Sequence, residues 1–159
     1  MLFLCFTDIA FCSDISKISV AAHYYVISSV IWPVDIEEFS ICVDKDHPNY
    51  SEFKSSLEKR TINGKAIQVL PLDTKASKLQ ECNSLVLGSG KEINLEIIKK
   101  VERKPILTIS SESKITQYGG MVEIRKGKKM TGPKVNISNL EKGQLSLSAQ
   151  LLSISNIER

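Results

Sequence analysis

The stretch EFSICVDKDHPNYSEFKSSLEKRTINGKAIQVL, residues 38–70, decides the fold class of this chain. Apolar residues alternate with others in Glu38–Val43, which predicts a strand with one apolar face and Cys42 on the opposite face. Bulky residues at helical spacing then predict a short helix from Tyr50 to about Arg60. A turn leads into a second predicted strand at Ala66–Leu70. The order strand, helix, strand indicates a βαβ unit, and hence a parallel sheet.

The rest of the chain continues this alternation of elements. Further strands are predicted at Ser84–Leu87, Ile106–Ile109, Met121–Arg125 and Lys134–Ile137, and helices at Ile15–Trp32 and 94–102. We therefore predict an α/β fold: a single-domain sheet of about six strands, largely parallel with one antiparallel hairpin over Met121–Ile137, flanked by helices. The tail from Leu145 to Ile154 fits a helix as well as a strand.

Composition excludes several classes of protein. The chain has 159 residues, of which 42% are hydrophobic and 25% charged, so it is neither collagen-like nor disordered. Its net charge of +3, from 21 basic and 18 acidic residues, is too small to indicate a nucleic-acid partner. Two histidines in the whole chain argue against a histidine-rich metal site.

The most concentrated charge lies in the predicted hairpin and comprises Arg125, Lys126, Lys128, Lys129 and Lys134. Such a cluster fits an acidic partner or lipid head groups, and it also fits a solvated hairpin tip. Because no aromatic residues are interleaved with these cations, we expect no binding to single-stranded nucleic acid.

The first twelve residues, Met1–Cys12, are mostly apolar and contain no Lys or Arg. With the motif Ala10-Phe11-Cys12 they are typical of the end of a secretory signal peptide, although Asp8 interrupts the apolar run. We therefore expect residues 1–12 to be a signal-peptide remnant and 13–159 to form one domain. A short buried strand at the N-terminus is the alternative.

The cysteines divide between these two parts. Cys5 and Cys12 belong to the expected remnant, which leaves Cys42 and Cys82 in the domain. In an exported protein a single pair is most simply a disulfide. Two buried free thiols are the alternative, which would suit a cytosolic protein.

The segment Gly88-Ser89-Gly90-Lys91 follows a predicted strand and precedes a predicted helix, where phosphates often bind. It lacks two residues of the phosphate-binding Walker A loop: position 85 is Leu instead of Gly, and Glu92 replaces the Ser or Thr after the lysine. We predict a tight turn here.

A second candidate is the loop Asp44–Pro48, which follows a strand at the edge where open α/β sheets bind ligands. Its Asp44, Asp46 and His47 have the chemistry to hold a cation or to transfer protons, but one loop alone preorganises such a site poorly. We expect a surface loop. The serines after the fourth predicted strand, Ser110, Ser111 and Ser113, lack the elbow motif of serine nucleophiles. No catalytic residue, metal or cofactor is therefore expected.

The remaining motifs, taken in order, resemble the YfiR family over most of residues 20–153. The segments that carry the resemblance are Tyr24–Pro33 with its Trp-Pro end, Ile41–Val43 and Cys82–Leu87 with one cysteine each, Lys104–Ser110, Gly119–Val122, Val135-Asn136 and Leu145–Leu152. Pro133 and Lys134 depart from the family's usual Phe-Glu pair, and the lysine reverses a charge, which alters the partner surface that is tolerated.

The resemblance implies a periplasmic α/β domain with Cys42 and Cys82 bonded to each other and with no enzyme activity. The best-known family member binds the periplasmic part of an inner-membrane diguanylate cyclase and holds it inactive, and an OmpA-like outer-membrane lipoprotein sequesters that repressor. Family members often form homodimers. By this resemblance the chain is a negative regulator of cyclic-di-GMP signalling and biofilm formation; a periplasmic sensor of a small molecule or ion is the alternative.

The resemblance also implies where a partner binds. The family's functional surface is associated with its Gly-Gly-Met and Ile-Asn elements, which correspond here to residues 119–123 and 133–137. The expected partner-binding residues are Gly119, Gly120, Met121, Glu123, Pro133, Lys134 and Asn136.

Overall fold

A computed structural model describes residues 8–125 and 132–159, with side chains from Lys17 onward. In chain order its elements are α1 (Asp8–Ser28), β1 (Val30–Ile31), β2 (Phe39–Val43), α2 (Tyr50–Leu57), β3 (Thr61–Ile62), β4 (Lys65–Pro71), α3 (Ala76–Leu79), β5 (Ser84–Leu87), α4 (Lys91–Val101), β6 (Leu107–Ser110), a 3₁₀ helix (Ile115–Tyr118), β7 (Val122–Glu123), β8 (Lys134–Asn136), α5 (Ile137–Lys142), β9 (Ser146–Leu147), α6 (Ala149–Ile154) and β10 (Asn156–Glu158). Strands and helices alternate through the first two-thirds of the chain, as predicted.

Eight of the strands form one sheet in the order β10-β8-β7-β6-β5-β2-β4-β3. Its five central strands, β4, β2, β5, β6 and β7, are parallel. Numbered among themselves they have the order 2-1-3-4-5, which is that of doubly wound sheets of the flavodoxin type. β8 pairs with β7 in the antiparallel direction, as the predicted hairpin requires. The predicted α/β class is confirmed, although the sheet has eight strands instead of about six.

The two additional strands lie at the ends of this sheet. β3 pairs with β4 over Thr61↔Ala66 and Ile62↔Lys65, and β10 pairs with β8 over three residues. A further small sheet joins β1 to β9. The tail from Leu145 to Ile154, which fitted a helix as well as a strand, contains both, because β9 and α6 follow one another within it.

Helices cover both faces of the main sheet. In β2, Phe39, Ile41 and Val43 belong to the core beneath α1 and α2, whereas Cys42 belongs to the core beneath α4. Alternate residues of a strand point to opposite faces, which explains this division. The predicted orientation of the two faces of this strand is therefore confirmed.

The first helix differs from its prediction at both ends. α1 begins at Asp8, earlier than predicted. It ends at Ser28, because the chain becomes extended at Val30 and Ile31, which pair with β9. Trp32 therefore follows a strand, and its ring packs against the Phe39 ring at a centroid distance of 5.7 Å. The expected processing site before Ser13 falls within α1, and the boundary at that residue stays a prediction. Within the described ranges, no helix combines the length and apolar character needed to cross a membrane.

Candidate functional site

The segments predicted for partner contact come together at one side of the sheet. β7 pairs with β8 through Val122↔Val135 and Glu123↔Lys134, so the two halves of the predicted surface are adjacent. Of the five residues of the basic cluster, Arg125 is exposed and Lys134 is half-buried, whereas Lys126, Lys128 and Lys129 lie outside the described residues.

The turn before β7 depends on glycine. The 3₁₀ helix ends at Tyr118, and the next residue, Gly119, has a φ of 100° and donates its N–H to the Ile115 carbonyl. Gly120 donates to the same carbonyl at 3.0 Å, and a side chain on Gly120 would stand 2.9 Å from that oxygen. The left-handed backbone and the close approach together account for the Gly-Gly pair.

Two asparagines fix this turn to the sheet. Asn136 caps α5 by accepting the N–H of Asn139 at 3.0 Å, and its amide donates to the Thr116 carbonyl at 3.2 Å. The Asn139 amide donates to the carbonyls of Thr116 and Gly120 at 3.0 and 2.9 Å. Asn139 was not among the predicted site residues. Its position three residues after Asn136 at a helix start was the signal for this cap.

The charged residues of the predicted surface are already paired within the chain. Glu123 is buried, accepts the Lys114 N–H at 3.0 Å and has Arg125 Nε 3.5 Å from its carboxylate. Lys134 forms an ion pair of 2.5 Å with Glu158 on β10, whose other oxygen accepts the Thr116 hydroxyl at 2.6 Å. The hydrogen bond from Lys134, and to a smaller extent the one from Thr116, lower the pKa of Glu158 below its usual value.

Burial divides the predicted residues into two groups. Gly119 is exposed, and Pro133, Lys134 and Asn136 are half-buried. Gly120, Met121 and Glu123 are buried, and Met121 donates its N–H to the Thr108 hydroxyl at 3.0 Å. The buried three shape the surface from beneath, so direct contact with a partner is possible chiefly through the other four and Arg125.

The cysteines of the domain are covalently joined. Cys42 on β2 and Cys82 just before β5 form a disulfide with their Cα atoms 5.8 Å apart. Both side chains are buried beside Leu79 and Leu85 on the face covered by α4. The bridge therefore links neighbouring strands of the sheet within an apolar core.

The two loops considered for ligand binding are also neighbours. Asp44 follows β2 and donates its N–H to the Val86 carbonyl of β5 at 3.1 Å, and a side chain at Gly88 would overlap the Asp44 carboxylate. These two strands flank the point where the chain reverses its direction across the sheet, because β4 lies on one side of β2 and β5 on the other. Doubly wound sheets commonly bind ligands at that position.

His47 is buried, so our prediction of a surface loop was wrong at this residue. Its ring packs edge-on against Phe53 at 5.3 Å, and His23 of α1 packs against the same phenyl ring at 5.0 Å. The His47 Nδ1 accepts the Asn49 N–H at 3.1 Å, while the His23 Nδ1 lies 2.7 Å from the Ser19 carbonyl oxygen. Packing of the His47 ring with Phe53 of α2 and His23 of α1 therefore holds this loop residue in the core.

The other candidates have local structural partners. Asn94, in the first turn of α4, donates to the Gly88 carbonyl at 2.9 Å and to Glu112 at 2.8 Å, which fixes the Gly88–Lys91 turn. The Ser110 hydroxyl accepts the Glu112 N–H at 3.0 Å. Across residues 8–125 and 132–159, no three His, Cys, Asp or Glu side chains are placed to hold a metal ion together.

A doubly wound α/β domain with an internal disulfide is the class of protein that these features define. The chain belongs to the YfiR/HmsC-like family, whose sequence model matches residues 16–156. No curated protein matches the chain.

A solved structure shares the fold. It is a crystal structure of a conserved domain protein from Vibrio cholerae O1 biovar eltor str. N16961, with a TM-score of 0.59 and 8% sequence identity. The alignment covers 91% of this chain and 60% of the other, so this chain spans little more than half of that protein's length. At this identity the likeness concerns the fold alone.

Proposed function

We propose that this chain is a non-catalytic periplasmic regulator that binds the periplasmic part of an inner-membrane diguanylate cyclase and represses it. Repression lowers cyclic-di-GMP and with it biofilm formation. The match of the YfiR/HmsC-like family model to residues 16–156 is the observation that carries this proposal. The disulfide supports the periplasmic location, because such bonds persist in oxidising compartments.

The proposed docking surface comprises Gly119, Pro133, Lys134 and Asn136, with Gly120, Met121 and Glu123 holding its shape from below. Exposed Arg125, which follows β7 beside this surface, favours an acidic patch on the cyclase. In the full proposal the protein acts as a homodimer, and an OmpA-like outer-membrane lipoprotein removes it from the cyclase.

Repression is tested with the purified chain and membranes containing a diguanylate cyclase from the same organism. The measurement is cyclic-di-GMP synthesis from GTP as the chain is added. We expect synthesis to fall to a plateau, and the Arg125→Glu variant to need at least about tenfold more protein for the same effect. Unchanged synthesis at saturating protein, together with no binding to the cyclase's periplasmic part, would contradict the proposal.

Lys59→Glu serves as the matched control. Lys59 is also exposed, but it follows α2 near the opposite end of the sheet, beside β3. We expect it to repress like the unaltered chain. Equal losses in both variants would show that net charge matters, and would argue against docking at the β7–β8 side.

The second candidate function is a sensor of a small molecule or ion at the carboxyl edge of the sheet. It is favoured by the juxtaposition of Asp44 and Gly88 where the strand order reverses. Thermal unfolding with nucleotides and with divalent cations tests it, since a ligand that binds the folded state raises the melting temperature. A rise of several degrees with one ligand, lost in Asp44→Asn, would support the sensor; no rise with any of them would contradict it.

A further inference from the structure

Tyr118, the last residue of the 3₁₀ helix, lies directly before the Gly-Gly turn of the proposed docking surface. Its side chain is 42% exposed, and it is one of eight large hydrophobic side chains that are exposed within the described residues. Of these eight, it is the one that is next in sequence to a residue proposed for cyclase contact, since Gly119 follows it. Exposed aromatic rings are among the side chains that contribute most to binding between proteins.

The Tyr118 ring is held in place by a lysine from another element. The Nζ of Lys91 lies 4.2 Å from the ring centroid, which is a cation–π contact. Lys91 is the first residue of α4, and the turn before it is fixed by the hydrogen bond from Asn94 to the Gly88 carbonyl. The ring therefore has a defined position on the surface before a partner binds.

The backbone that carries Tyr118 is also fixed on both sides. Before it, the Thr116 carbonyl accepts the amides of Asn136 and Asn139 at 3.2 and 3.0 Å, and the Thr116 hydroxyl donates to Glu158 at 2.6 Å. After it, the Gly-Gly turn bonds back to the start of the 3₁₀ helix. A side chain on such a rigid support loses little conformational freedom when a partner covers it, which favours affinity.

The charges around Tyr118 are mostly positive. Lys91 and Lys114, which precedes the 3₁₀ helix, are both exposed. None of the four ion pairs among the described side chains includes either lysine. Glu92 is exposed as well, but neighbouring residues of a helix point in different directions, so it does not face the Tyr118 ring together with Lys91. The surroundings of the ring therefore favour an acidic group on the partner.

The contact between Lys91 and Tyr118 determines what kind of pocket fits the ring. A partner that covers the ring also removes part of the Lys91 ammonium from water. The ring occupies one side of the ammonium, which has three N–H donors, and a covered charge without a partner is costly. A carboxylate at the rim of the partner's pocket satisfies those donors, and the cation–π contact itself becomes stronger when water is excluded.

We propose that Tyr118, with Lys91 against its ring, is the aromatic anchor of the docking surface and enters an apolar pocket of the cyclase whose rim carries a carboxylate. This proposal rests on the proposed function, because it takes the cyclase as the partner. It extends the docking surface from β7 and β8 across Gly119 to the start of α4. Tyr118 and Lys91 then decide which cyclases are bound, since a partner without both the pocket and the carboxylate leaves a charge covered and unpaired.

Equilibrium binding of the purified full chain to membranes that contain the cyclase tests the anchor, with membranes that lack the cyclase as background. Tyr118→Ala should raise the dissociation constant at least about thirtyfold. Tyr118→Phe keeps the ring and should stay within about threefold of the unaltered chain. Tyr25→Ala is the matched control, since Tyr25 on α1 is similarly exposed at 37%, and it should bind like the unaltered chain.

Lys91 is tested by its own substitutions, which leave the buried core untouched because the side chain is exposed. Lys91→Gln should raise the dissociation constant about fivefold and make binding less sensitive to added salt, because it removes a charge that pairs with the cyclase. Lys91→Arg keeps the charge and the ring contact and should stay within about threefold. In the Tyr118→Ala background, Lys91→Gln should add less than its separate effect, because the two residues act together.

The outcomes separate the anchor from the function on which it rests. If the unaltered chain does not bind cyclase membranes above the background, the proposed function fails and the anchor fails with it. If the unaltered chain binds and Tyr118→Ala binds equally well, the proposed function stands and the anchor is refuted. Equal losses for Tyr118→Ala and Tyr25→Ala also refute it. If vesicles of phosphatidylethanolamine and phosphatidylglycerol alone show the same loss with Tyr118→Ala, the ring contacts lipid and the proposal is wrong.

Discussion

Lys134 on β8 and Glu158 on β10 form an ion pair of 2.5 Å at the side of the sheet where we propose that the cyclase docks. The Lys134 side chain is only 13% exposed, and β10 runs beside β8 through the pairs Asn156↔Lys134 and Glu158↔Asn136. A partner that binds the Lys134 ammonium must therefore compete with Glu158. The group of the partner that replaces Glu158 beside the Lys134 ammonium is most simply another carboxylate.

Replacing Glu158 by Gln tests this pair. We expect a loss of about 0.5–1 kcal/mol at neutral pH, since the pair is partly solvated. Because the pKa of Glu158 is lowered in the folded state, its contribution is present above the ordinary glutamate pKa and disappears as the pH falls through the lowered value. Urea unfolding at neutral and at strongly acid pH should show the two proteins converging in acid. Glu37→Gln, at an exposed loop position, should show no such difference, and a constant gap for Glu158→Gln would refute the assignment.

Gly119→Ala should destabilise the turn before β7 by more than 1 kcal/mol. The left-handed backbone alone costs an alanine about 1–2 kcal/mol, and the new methyl group would stand 2.9 Å from the Ile98 Cγ2. Gly64→Ala is the matched comparison, since Gly64 has a φ of 76° and no atom within 4 Å of the added methyl position. Thermal unfolding should rank Gly119→Ala below Gly64→Ala. A lower melting temperature for Gly64→Ala than for Gly119→Ala would contradict a destabilising contact between the new methyl group and Ile98.

Asn139→Ala should cost about 1–3 kcal/mol, because it removes the side-chain donor of the Gly120 carbonyl and one of the two amide donors of the Thr116 carbonyl. Asn139→Asp should cost more, since it turns a carboxylate toward two carbonyl oxygens. Chemical denaturation measures both. Asn156→Ala removes a single exposed bond to the Gly132 carbonyl and should cost less than either. An Asn139→Asp variant as stable as the unaltered chain would contradict the role assigned to this amide.

Removing the disulfide by Cys42→Ala with Cys82→Ala should lower the free energy of unfolding by about 4 kcal/mol. The bridge joins residues 40 apart, and closing a loop of that length in the unfolded chain accounts for this amount. Urea unfolding with and without a reductant provides the measurement. The unaltered chain should lose stability in reductant and the double variant should not. Equal responses would mean that the bridge contributes little to the folded state.

Strands of the central sheet were predictable because their residues alternate or are continuously apolar. The assignment of Cys42 to one face of β2 and Ile41 to the other follows from this period alone, and the structure confirms it. β3 and β10 are two and three residues long, too short for a period to be visible. They are specified by pairing with β4 and β8, which sequence patterns do not show.

Burial of His47 was not predictable from its polar neighbours Asp44 and Asp46. It depends on Phe53 of α2 and His23 of α1, residues that only the folded chain brings together. The Asn139 contacts were not predictable for the same reason, since they join α5 to a turn 19 residues earlier in the chain. Local patterns thus predict which face of an element is buried, and contacts between distant segments decide how the loops are held.

The bridge between β2 and the start of β5 also has a kinetic consequence. β2 is an inner strand of the sheet and lies between β4 and β5, which come later in the chain. Its backbone hydrogen bonds can form only when those two strands pair with it. Parallel pairings of this kind fold slowly because a long loop must close first. Once Cys42 and Cys82 are oxidised, the search that aligns β2 with β5 is already confined to a small volume. The redox state in which the chain emerges therefore governs how fast the sheet assembles, and how long its apolar strands remain open to aggregation.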